Sequence, residues 1–170
     1  KTAMVSETGR MTYAEMDGRS SRMAALLVSS GVTKGEPVAL LLPPTMDWPV
    51  AYFAALKAGA RAVVLNAMLK PAELFAQLAE CRAGTIITES RFAAAMKQMA
   101  PAGSPLPRVM QIDAPDFENA LAAAPSVRPE VPMIPEDECT IIYTSGVLGM
   151  QKGVVHTHRS LMSVFEAAAP

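Results

Sequence analysis

Residues 38–65 read VALLLPPTMDWPVAYFAALKAGARAVVL, and this stretch decides the fold class. The run 38–42 is apolar at every position and ends at two prolines, which is typical of a strand buried on both faces. Over 46–57 apolar residues recur every three or four positions, which predicts a helix that Gly59 can cap. Residues 61–65 are again rich in β-forming side chains. The stretch therefore predicts one β-α-β unit.

Strands and helices alternate on both sides of this unit. Thr12 and Glu15 have the spacing of a capping box, which predicts a helix over about 13–30 that Gly31 can end. The further predicted elements are a helix over 71–82 closed by Gly84, a strand over 85–88, a helix over 90–99 capped by Ser90, a strand over 109–112 and a helix over 116–124. This alternation predicts an α/β fold, a parallel sheet with helices on both faces, joined by right-handed crossovers.

Three parts follow one another along the chain. Residues 1–124 carry the alternating strands and helices, and residues 125–138 form a linker that contains four prolines. Strands over 139–143 and 154–157 are predicted to bracket a loop, so that 139–170 is a strand, loop, strand and helix segment of the same domain. We expect the linker to carry the chain to a new location, where these two strands pair apart from the others.

The composition is that of a globular protein, with 170 residues of which 51% are hydrophobic and 18% charged. A formal charge of -1, without a long run of one sign, argues against nucleic acid or an anionic membrane as partner. We find neither a leader pattern nor an apolar stretch of about 20 residues, so no signal peptide or transmembrane segment is expected. Cys81 and Cys139 are interpreted as buried thiols of a reducing compartment, and the expected location is cytoplasmic.

The chemistry is expected within 141–155, which read IIYTSGVLGMQKGVV. Glycines let backbone N–H groups converge, the hydroxyls of Thr144 and Ser145 can donate, and Lys152 adds a positive charge. The stretch is not a Walker A loop, because Lys152 is followed by Gly153 rather than by Ser or Thr. Taken alone, it is equally compatible with a plain hairpin turn and a solvated lysine. The donor set favours polyphosphate oxygens, and hence a nucleotide.

The loop resembles the phosphate-binding signature of the adenylate-forming (AMP-binding) superfamily, which reads T-S-G-[ST]-[ST]-G-x-P-K-G-V. The residues that match it in order are Thr144, Ser145, Gly146, Gly149, Lys152, Gly153 and Val154. Residues 11–16 (MTYAEM), 31–39 (GVTKGEPVA) and 55–60 (ALKAGA) resemble other stretches of the same enzymes. Residues 155–161 (VHTHRSL) are similar to the acyl-CoA branch. The chain is identified as a member of this superfamily, of the AMP-forming acyl-CoA synthetase type.

The resemblance implies a site and a reaction. The implied nucleotide-binding residues are Thr144, Ser145, Gly146, Val147, Leu148, Gly149 and Lys152. The implied ligands are ATP, Mg²⁺ and coenzyme A, and a carboxylic acid, fatty or aryl, would be activated as acyl-AMP and passed to coenzyme A. No catalytic residue and no metal ligand of this chain is assigned.

The resemblance also implies that much of the parent enzyme lies outside this chain. The residues for adenine and ribose, the acidic magnesium ligand, the acyl pocket and a C-terminal lysine all belong to later segments in the family. We therefore expect the chain to be an early portion of a large N-terminal domain that is inactive alone. Apolar surface left for the remainder of the parent chain would then favour self-association.

Three positions depart from the signature. Val147 and Leu148 stand where the family carries Ser or Thr, and Gln151 stands where it carries proline. Each hydrogen bond to a charged group contributes roughly 1.5–3 kcal/mol, so losing two weakens transition-state binding by on the order of a hundredfold unless backbone amides hold the phosphate. One alternative is therefore a non-catalytic remnant or interaction module, and another is an amino-acid-activating adenylation domain.

Two further groups of polar residues have structural and functional interpretations. His156 and His158 have the spacing of a metal pair on a strand, but no third ligand is near, and we favour His158 as a helix-entry residue that packs behind the loop. Asp137 and Glu138 are interpreted as solvated carboxylates rather than magnesium ligands.

Overall fold

The computed structural model describes residues 1–7, 9–144 and 151–168, without the side chains of Phe165 and Ala168. The described strands are β1 (Thr2–Ser6), β2 (Gly9–Thr12), β3 (Pro37–Leu41), β4 (Arg61–Val64), β5 (Thr85–Thr88), β6 (Arg108–Gln111), β7 (Glu138–Thr144) and β8 (Lys152–Thr157). The described helices are α1 (Tyr13–Ser29), α2 (Asp47–Lys57), α3 (Pro71–Cys81), α4 (Ser90–Met99), α5 (Phe117–Ala123) and α6 (His158–Ala168).

Strand β3 is at the centre of a sheet with the order β6-β5-β3-β4-β7-β8. Neighbouring strands are parallel except for β7 and β8, which are antiparallel. Every residue of β3 is buried, because successive side chains enter opposite layers. Val38 and Leu40 pack with α1, α2 and α5, whereas Ala39 and Leu41 pack with α3 and α4. The predicted α/β fold with helices on both faces is confirmed.

The strands that follow the proline-rich linker join this same sheet. Strand β7 pairs in parallel with β4, with Ala62 opposite Thr140 and Val64 opposite Ile142. The prediction that β7 and β8 pair apart from the other strands is therefore wrong. The reason is that β4 has a free apolar edge, and β7, whose Cys139 to Ile141 are buried, covers it.

Several predicted helix ends are confirmed. Thr12 and Glu15 form the capping box: the Glu15 N–H donates to Thr12 Oγ1 at 3.2 Å, and the Thr12 N–H donates to Glu15 Oε2 at 2.7 Å. Gly31 follows α1 with φ +94°, and Gly59 follows α2 with φ +71°. Glycine adopts this left-handed region without the steric penalty that other residues incur, so both residues end their helices as expected.

Two predicted caps are wrong. Helix α3 ends at Cys81, and the residue that caps it is Arg82, which adopts the left-handed conformation with φ 53°. Gly84 does not close the helix. Its lack of a side chain leaves space for the Glu36 carboxylate, because a Cβ at position 84 would lie 2.9 Å from Glu36 Oε1. Ser90 is the first residue of α4 rather than its cap, and its N–H and hydroxyl donate to the Asp113 carboxylate at 2.8 and 2.5 Å.

The antiparallel hairpin of β1 and β2 was not predicted. Its strands are short and lack a regular alternation of apolar and polar residues, so the pattern gives little signal. Met4 and Met11 of the hairpin pack against the core layer that holds α1 and α2. Among the described residues, no helix has both the length and the apolar character needed to cross a membrane.

Candidate functional site

The predicted phosphate loop joins β7 to β8 at the carboxyl edge of the sheet. Strand β7 runs parallel to β3, β4 and β5, so the chain leaves Thr144 at the edge where those strands also end. Ligands of open α/β sheets bind in crevices at this edge. Five of the predicted site residues, Ser145, Gly146, Val147, Leu148 and Gly149, lie outside the described residues.

Thr144 and Lys152 are the two predicted site residues that the structure describes. They face each other as a cross-strand pair at the base of the loop, and Thr144 Oγ1 lies 3.5 Å from the Lys152 carbonyl oxygen. Both side chains are exposed. Among the described residues, no carboxylate forms an ion pair with the Lys152 ammonium. The two ends of the loop thus carry a cation without an ion-pair partner among the described residues and an exposed hydroxyl that donates one long hydrogen bond of 3.5 Å.

Gly153 allows the two strands to approach closely beside the loop. It lies opposite Tyr143, and a Cβ at this position would be 3.5 Å from the Tyr143 ring and 3.1 Å from Ile141 Cγ2. The space that a side chain would fill is therefore used by Tyr143. The Tyr143 hydroxyl donates to the Gln77 carbonyl oxygen of α3 at 3.1 Å, and burial raises the pKa of Tyr143, which keeps this donor protonated.

Gln77 was not predicted as a site residue, yet it connects α3 to both ends of the loop. It is 4% exposed, and its Nε2 donates to Gln151 Oε1, one residue before Lys152. The other side-chain atom, Oε1, has no hydrogen-bond partner among the described residues. The sequence does contain a signal for this role, because Gln77 places a polar amide between Leu74 and Leu78 on the inward face of α3.

An open groove of about 770 Å³ lies at the same edge of the sheet. Leu42 and Leu65, which directly follow β3 and β4, contribute to its lining, and Trp48 and Phe92 add aromatic faces. The Arg91 guanidinium lies 4.6 Å from the centre of the Phe92 ring and pairs with Glu89 at 2.8 Å. A mostly apolar groove with a few polar atoms is typical of small-molecule sites.

The other polar residues considered from the sequence lie at the opposite, amino edge. His158 begins α6, as favoured, but it follows the whole of β8 and is therefore far from the loop rather than behind it. Asp137 and Glu138 each have a cationic partner, Lys34 at 2.7 Å and Arg61 at 2.8 Å, so their role is to hold this edge together.

The residues present suit phosphate oxygens better than they suit a metal ion. Within the described ranges, no three His, Cys, Asp or Glu residues are grouped so that they could hold a metal ion. The donors at the base of the loop are a hydroxyl and an ammonium, which bind oxyanions. A magnesium ion at this site would depend on ligands other than the carboxylates of the described part of the chain.

Comparison with known proteins agrees with this arrangement. The family described as "AMP-binding enzyme" matches residues 1–169. The chain is 34% identical over 155 residues to long-chain-fatty-acid–CoA ligase FadD13 of Mycobacterium tuberculosis, which covers 91% of this chain and 31% of that protein. It is 34% identical over 167 residues to phosphinothricin tripeptide synthetase PhsC of Streptomyces viridochromogenes, covering 98% of this chain and 15% of that protein.

A solved structure is similar over nearly the same length. The inhibitor-bound N-terminal domain of FACL13 from Mycobacterium tuberculosis superposes with a TM-score of 0.84 at 33% identity, covering 94% of this chain and 40% of that one. The chain thus spans less than half of the length of each of these relatives. Because the family matches almost every residue, and because the carboxyl-edge hairpin has the hydroxyl and the lysine of the phosphate signature, this chain belongs to the AMP-binding enzyme family.

Proposed function

We propose that the chain is part of an ATP-dependent acid–thiol ligase of the acyl-CoA synthetase type, and that Thr144, Ser145, Gly146, Val147, Leu148, Gly149 and Lys152 bind the phosphates of ATP. The observation that carries this proposal is the pairing of Thr144 with Lys152 at the carboxyl edge of the sheet. This pairing places an exposed hydroxyl, whose described hydrogen bond is as long as 3.5 Å, beside a cation at the base of one loop. The cation has no carboxylate partner among the described residues. The similarity to FadD13 supports the choice of reaction.

The reaction has two steps. An oxygen of the substrate carboxylate attacks the α-phosphorus of ATP, the bond to the bridging oxygen breaks, and pyrophosphate leaves with that electron pair. The thiol sulfur of coenzyme A then attacks the acyl carbon of the acyl-AMP, and AMP departs. The loop residues act in the first step, because hydroxyl, amide and ammonium donors stabilise negative charge on the departing pyrophosphate. A magnesium ion, held by ligands other than the carboxylates of the described residues, would add positive charge against the departing pyrophosphate.

The proposal includes a division of the chain within one domain. Residues 1–124 form the main α/β layer, 125–138 the proline-rich linker, and 139–170 the segment that carries the phosphate loop. The relatives are several times longer than this chain, which supports the proposal that adenine, acyl and coenzyme A contacts come from a remainder of the parent protein. We accordingly propose that this chain alone does not complete a turnover.

Two alternatives each have an observation in their favour. The similarity to PhsC supports an amino-acid-activating adenylation domain, whose first step is the same but whose acid is an amino acid. Val147 and Leu148 support a non-catalytic remnant, since neither side chain can donate a hydrogen bond to phosphate. The acyl-CoA ligase remains our proposal because the chain retains the lysine and all three glycines of the phosphate signature.

Exposed apolar side chains support a covering partner on the side of α6. Val154 of β8 and Met162 and Val164 of α6 are 40–60% exposed. A groove of about 630 Å³ between α2, the linker and α6 adds Phe53 to this surface. We propose that the remainder of the parent chain covers it and that the chain alone self-associates. The unpaired thiols of Cys81 and Cys139 support a cytoplasmic location.

Titration of the ¹⁵N-labelled chain with Mg-ATP tests the site. We expect saturable shifts of the Thr144, Lys152 and Gly153 amides, and we expect Lys152→Met to weaken binding at least tenfold, since a charged hydrogen bond contributes roughly 1.5–3 kcal/mol. Lys97→Met, which removes an exposed lysine of α4, is the matched control. The absence of saturable shifts near the loop would favour the non-catalytic alternative.

Isotope exchange between ATP and pyrophosphate tests the activity. The chain alone is expected to give no exchange with any carboxylic acid, and measurable exchange would contradict that part of the proposal. In the complete protein, exchange that depends on fatty or aryl acids supports the acyl-CoA ligase. Exchange that depends on amino acids supports the adenylation-domain alternative instead.

A further inference from the structure

Gln77 is a buried polar side chain in an apolar layer. It lies on the inward face of α3, with Leu74 and Leu78 as the neighbouring buried positions, and is only 4% exposed. Burying an amide costs free energy unless its donors and acceptors are satisfied. A hydrophobic side chain would fill this position at lower cost, so the contacts of the amide call for an explanation.

The contacts of Gln77 lead to both ends of the phosphate loop. Its Nε2 donates to the side-chain oxygen of Gln151, the residue before Lys152. Its backbone carbonyl accepts the Tyr143 hydroxyl at 3.1 Å, and Tyr143 precedes Thr144. One residue of α3 therefore holds the chain where it enters the loop and where it leaves it.

Apart from the pairing of Lys152 with Thr144, the loop exit has little other restraint in the described part of the chain. Strand β8 is at the edge of the sheet and pairs only with β7. Gln151 and Lys152 are both exposed. Gln151 also stands where the phosphate signature carries proline, a residue whose ring fixes φ near −65°. Glutamine at position 151 does not fix its φ angle in this way. The hydrogen bond between the Gln151 side chain and Gln77 of α3 restricts the backbone of Gln151 instead.

We propose that Gln77 is a positioning residue for the phosphate loop, which it serves by fixing Gln151 and so the direction of the adjacent Lys152. The inference rests on the proposed function, because it assigns Lys152 to the phosphates of ATP. Its structural part, the restraint of the loop exit by α3, is measurable without ATP. The two parts can therefore fail separately.

The first measurement is the backbone mobility of Gln151 and Lys152 from ¹⁵N relaxation of the chain without nucleotide. Gln77→Met keeps the volume of the side chain but removes the amide, and Gln151→Ala removes the acceptor without touching the core. Both variants are expected to increase ps–ns motion at 151 and 152. Gln98→Met and Gln98→Ala, at an exposed position of α4, are the matched controls and should leave this motion unchanged.

The second measurement is the affinity for Mg-ATP. We expect Gln77→Met and Gln151→Ala to raise the Kd roughly three- to tenfold, the range of one hydrogen bond, with a melting temperature at or above that of the wild type for Gln77→Met. A merely structural role would instead lower the melting temperature and leave the Kd unchanged. In a Gln151→Pro background, the effect of Gln77→Met on the Kd should largely disappear, because proline supplies the backbone restraint itself.

Each outcome decides one of the two proposals. Unchanged mobility at 151 and 152 in both Gln77→Met and Gln151→Ala would overturn the positioning role, whether or not ATP binds. Increased mobility with an unchanged Kd would overturn it as well, since the restraint would then not serve the phosphates. A complete parent protein that binds no Mg-ATP would overturn the proposed function, and with it the role of Gln77 in ATP binding, while the mobility result still reports on the restraint.

Discussion

Tyr52 of α2 and Thr140 of β7 share a hydrogen bond of 2.8 Å between their hydroxyl groups, across the interface of helix layer and sheet. Thr140 is 1% exposed, so its hydroxyl has no access to solvent. Tyr52 also stacks on Trp48 with ring centroids 5.5 Å apart. The contact fixes β7, which carries the chain to the phosphate loop, against the helix that follows the central strand.

Tyr52→Phe is expected to lower the free energy of unfolding by about 1 kcal/mol, because the ring contacts remain but the buried Thr140 hydroxyl keeps only its weaker hydrogen bond to Cys139 Sγ at 3.7 Å. Urea denaturation measures the change. Tyr13→Phe is the control, since Tyr13 is 53% exposed. Equal stabilities of the two variants would show that the hydroxyl pair contributes nothing measurable.

Lys57 connects α2 to α1 through a largely buried ammonium. Its three N–H groups are shared among four acceptors, which are the Asp17 carboxylate at 2.6 Å, the Asp17 carbonyl oxygen at 2.8 Å, and the Ser20 and Ser21 hydroxyls at 2.8 and 2.9 Å. Lys57→Met keeps most of the stem but removes all these bonds, and we expect a loss of roughly 1–3 kcal/mol of unfolding free energy. Lys97→Met, at an exposed position, should change it by less than about 0.5 kcal/mol. If Lys57→Met lost no more unfolding free energy than Lys97→Met, the prediction would be contradicted.

Gly59 combines a positive φ of +71° with a close neighbour, since a Cβ there would lie 2.6 Å from Val131 Cγ1. Gly59→Ala is expected to destabilise by about 2–4 kcal/mol in thermal or urea unfolding, the sum of backbone strain and steric overlap. Gly103→Ala has a similar φ of +78° but open space, so it measures the backbone contribution alone. Adding Val131→Ala to Gly59→Ala should remove the steric part. If the double variant is no more stable than Gly59→Ala, Val131 is not the source of the steric overlap.

The ion pairs of the amino edge predict acid sensitivity. Lys34 lowers the pKa of Asp137 below its ordinary value of 3.8, and Arg159 lowers the pKa of Glu136 below 4.5. A carboxyl group whose pKa is lower in the folded state stabilises the fold above its unfolded pKa, and this contribution is lost as the pH falls through the folded value. Unfolding free energy should thus decline below about pH 4.5 and continue to fall below 3.8.

Asp137→Asn tests this assignment, because asparagine can still accept the Ile134 N–H but no longer titrates. The variant should lose less stability than the wild type between pH 5 and pH 3, in urea titrations at each pH. Asp116→Asn is the control, since Asp116 has no ion pair among the described residues. Parallel pH profiles of Asp137→Asn and wild type would exclude Asp137 as a source of the acid sensitivity.

The sequence predicts the α/β class because its signals are local. The all-apolar run of β3 and the capping box of Thr12 and Glu15 depend on residues close in the chain, and both appear as predicted. The pairing of β4 with β7 joins Ala62 to Thr140, and no local pattern carries that choice. Ser90 has a capping side chain that binds Asp113 instead, which shows how a distant partner overrides a local preference.

For the candidate site, the sequence predicts the loop but not its support. Thr144 and Lys152 stand at the base of a hairpin as the motif indicates. Gln77 was missed because its role depends on α3 lying beside β7, which is a tertiary relationship. Its polarity at an inward helix position is visible in the sequence, but the partner is not.

The central place of β3 has a consequence for synthesis of the chain. Thr88 of β5 donates its hydroxyl hydrogen bond to Leu41, 47 residues earlier. Strand β3, the first strand of the large sheet, therefore leaves the ribosome well before its neighbour β5 has been synthesised. Until the later helices form, Val38 and Leu40 lack part of the helix layer that buries them. During that interval the nascent chain presents an uncovered apolar strand, which is the kind of segment that chaperones bind and that aggregates when they are scarce.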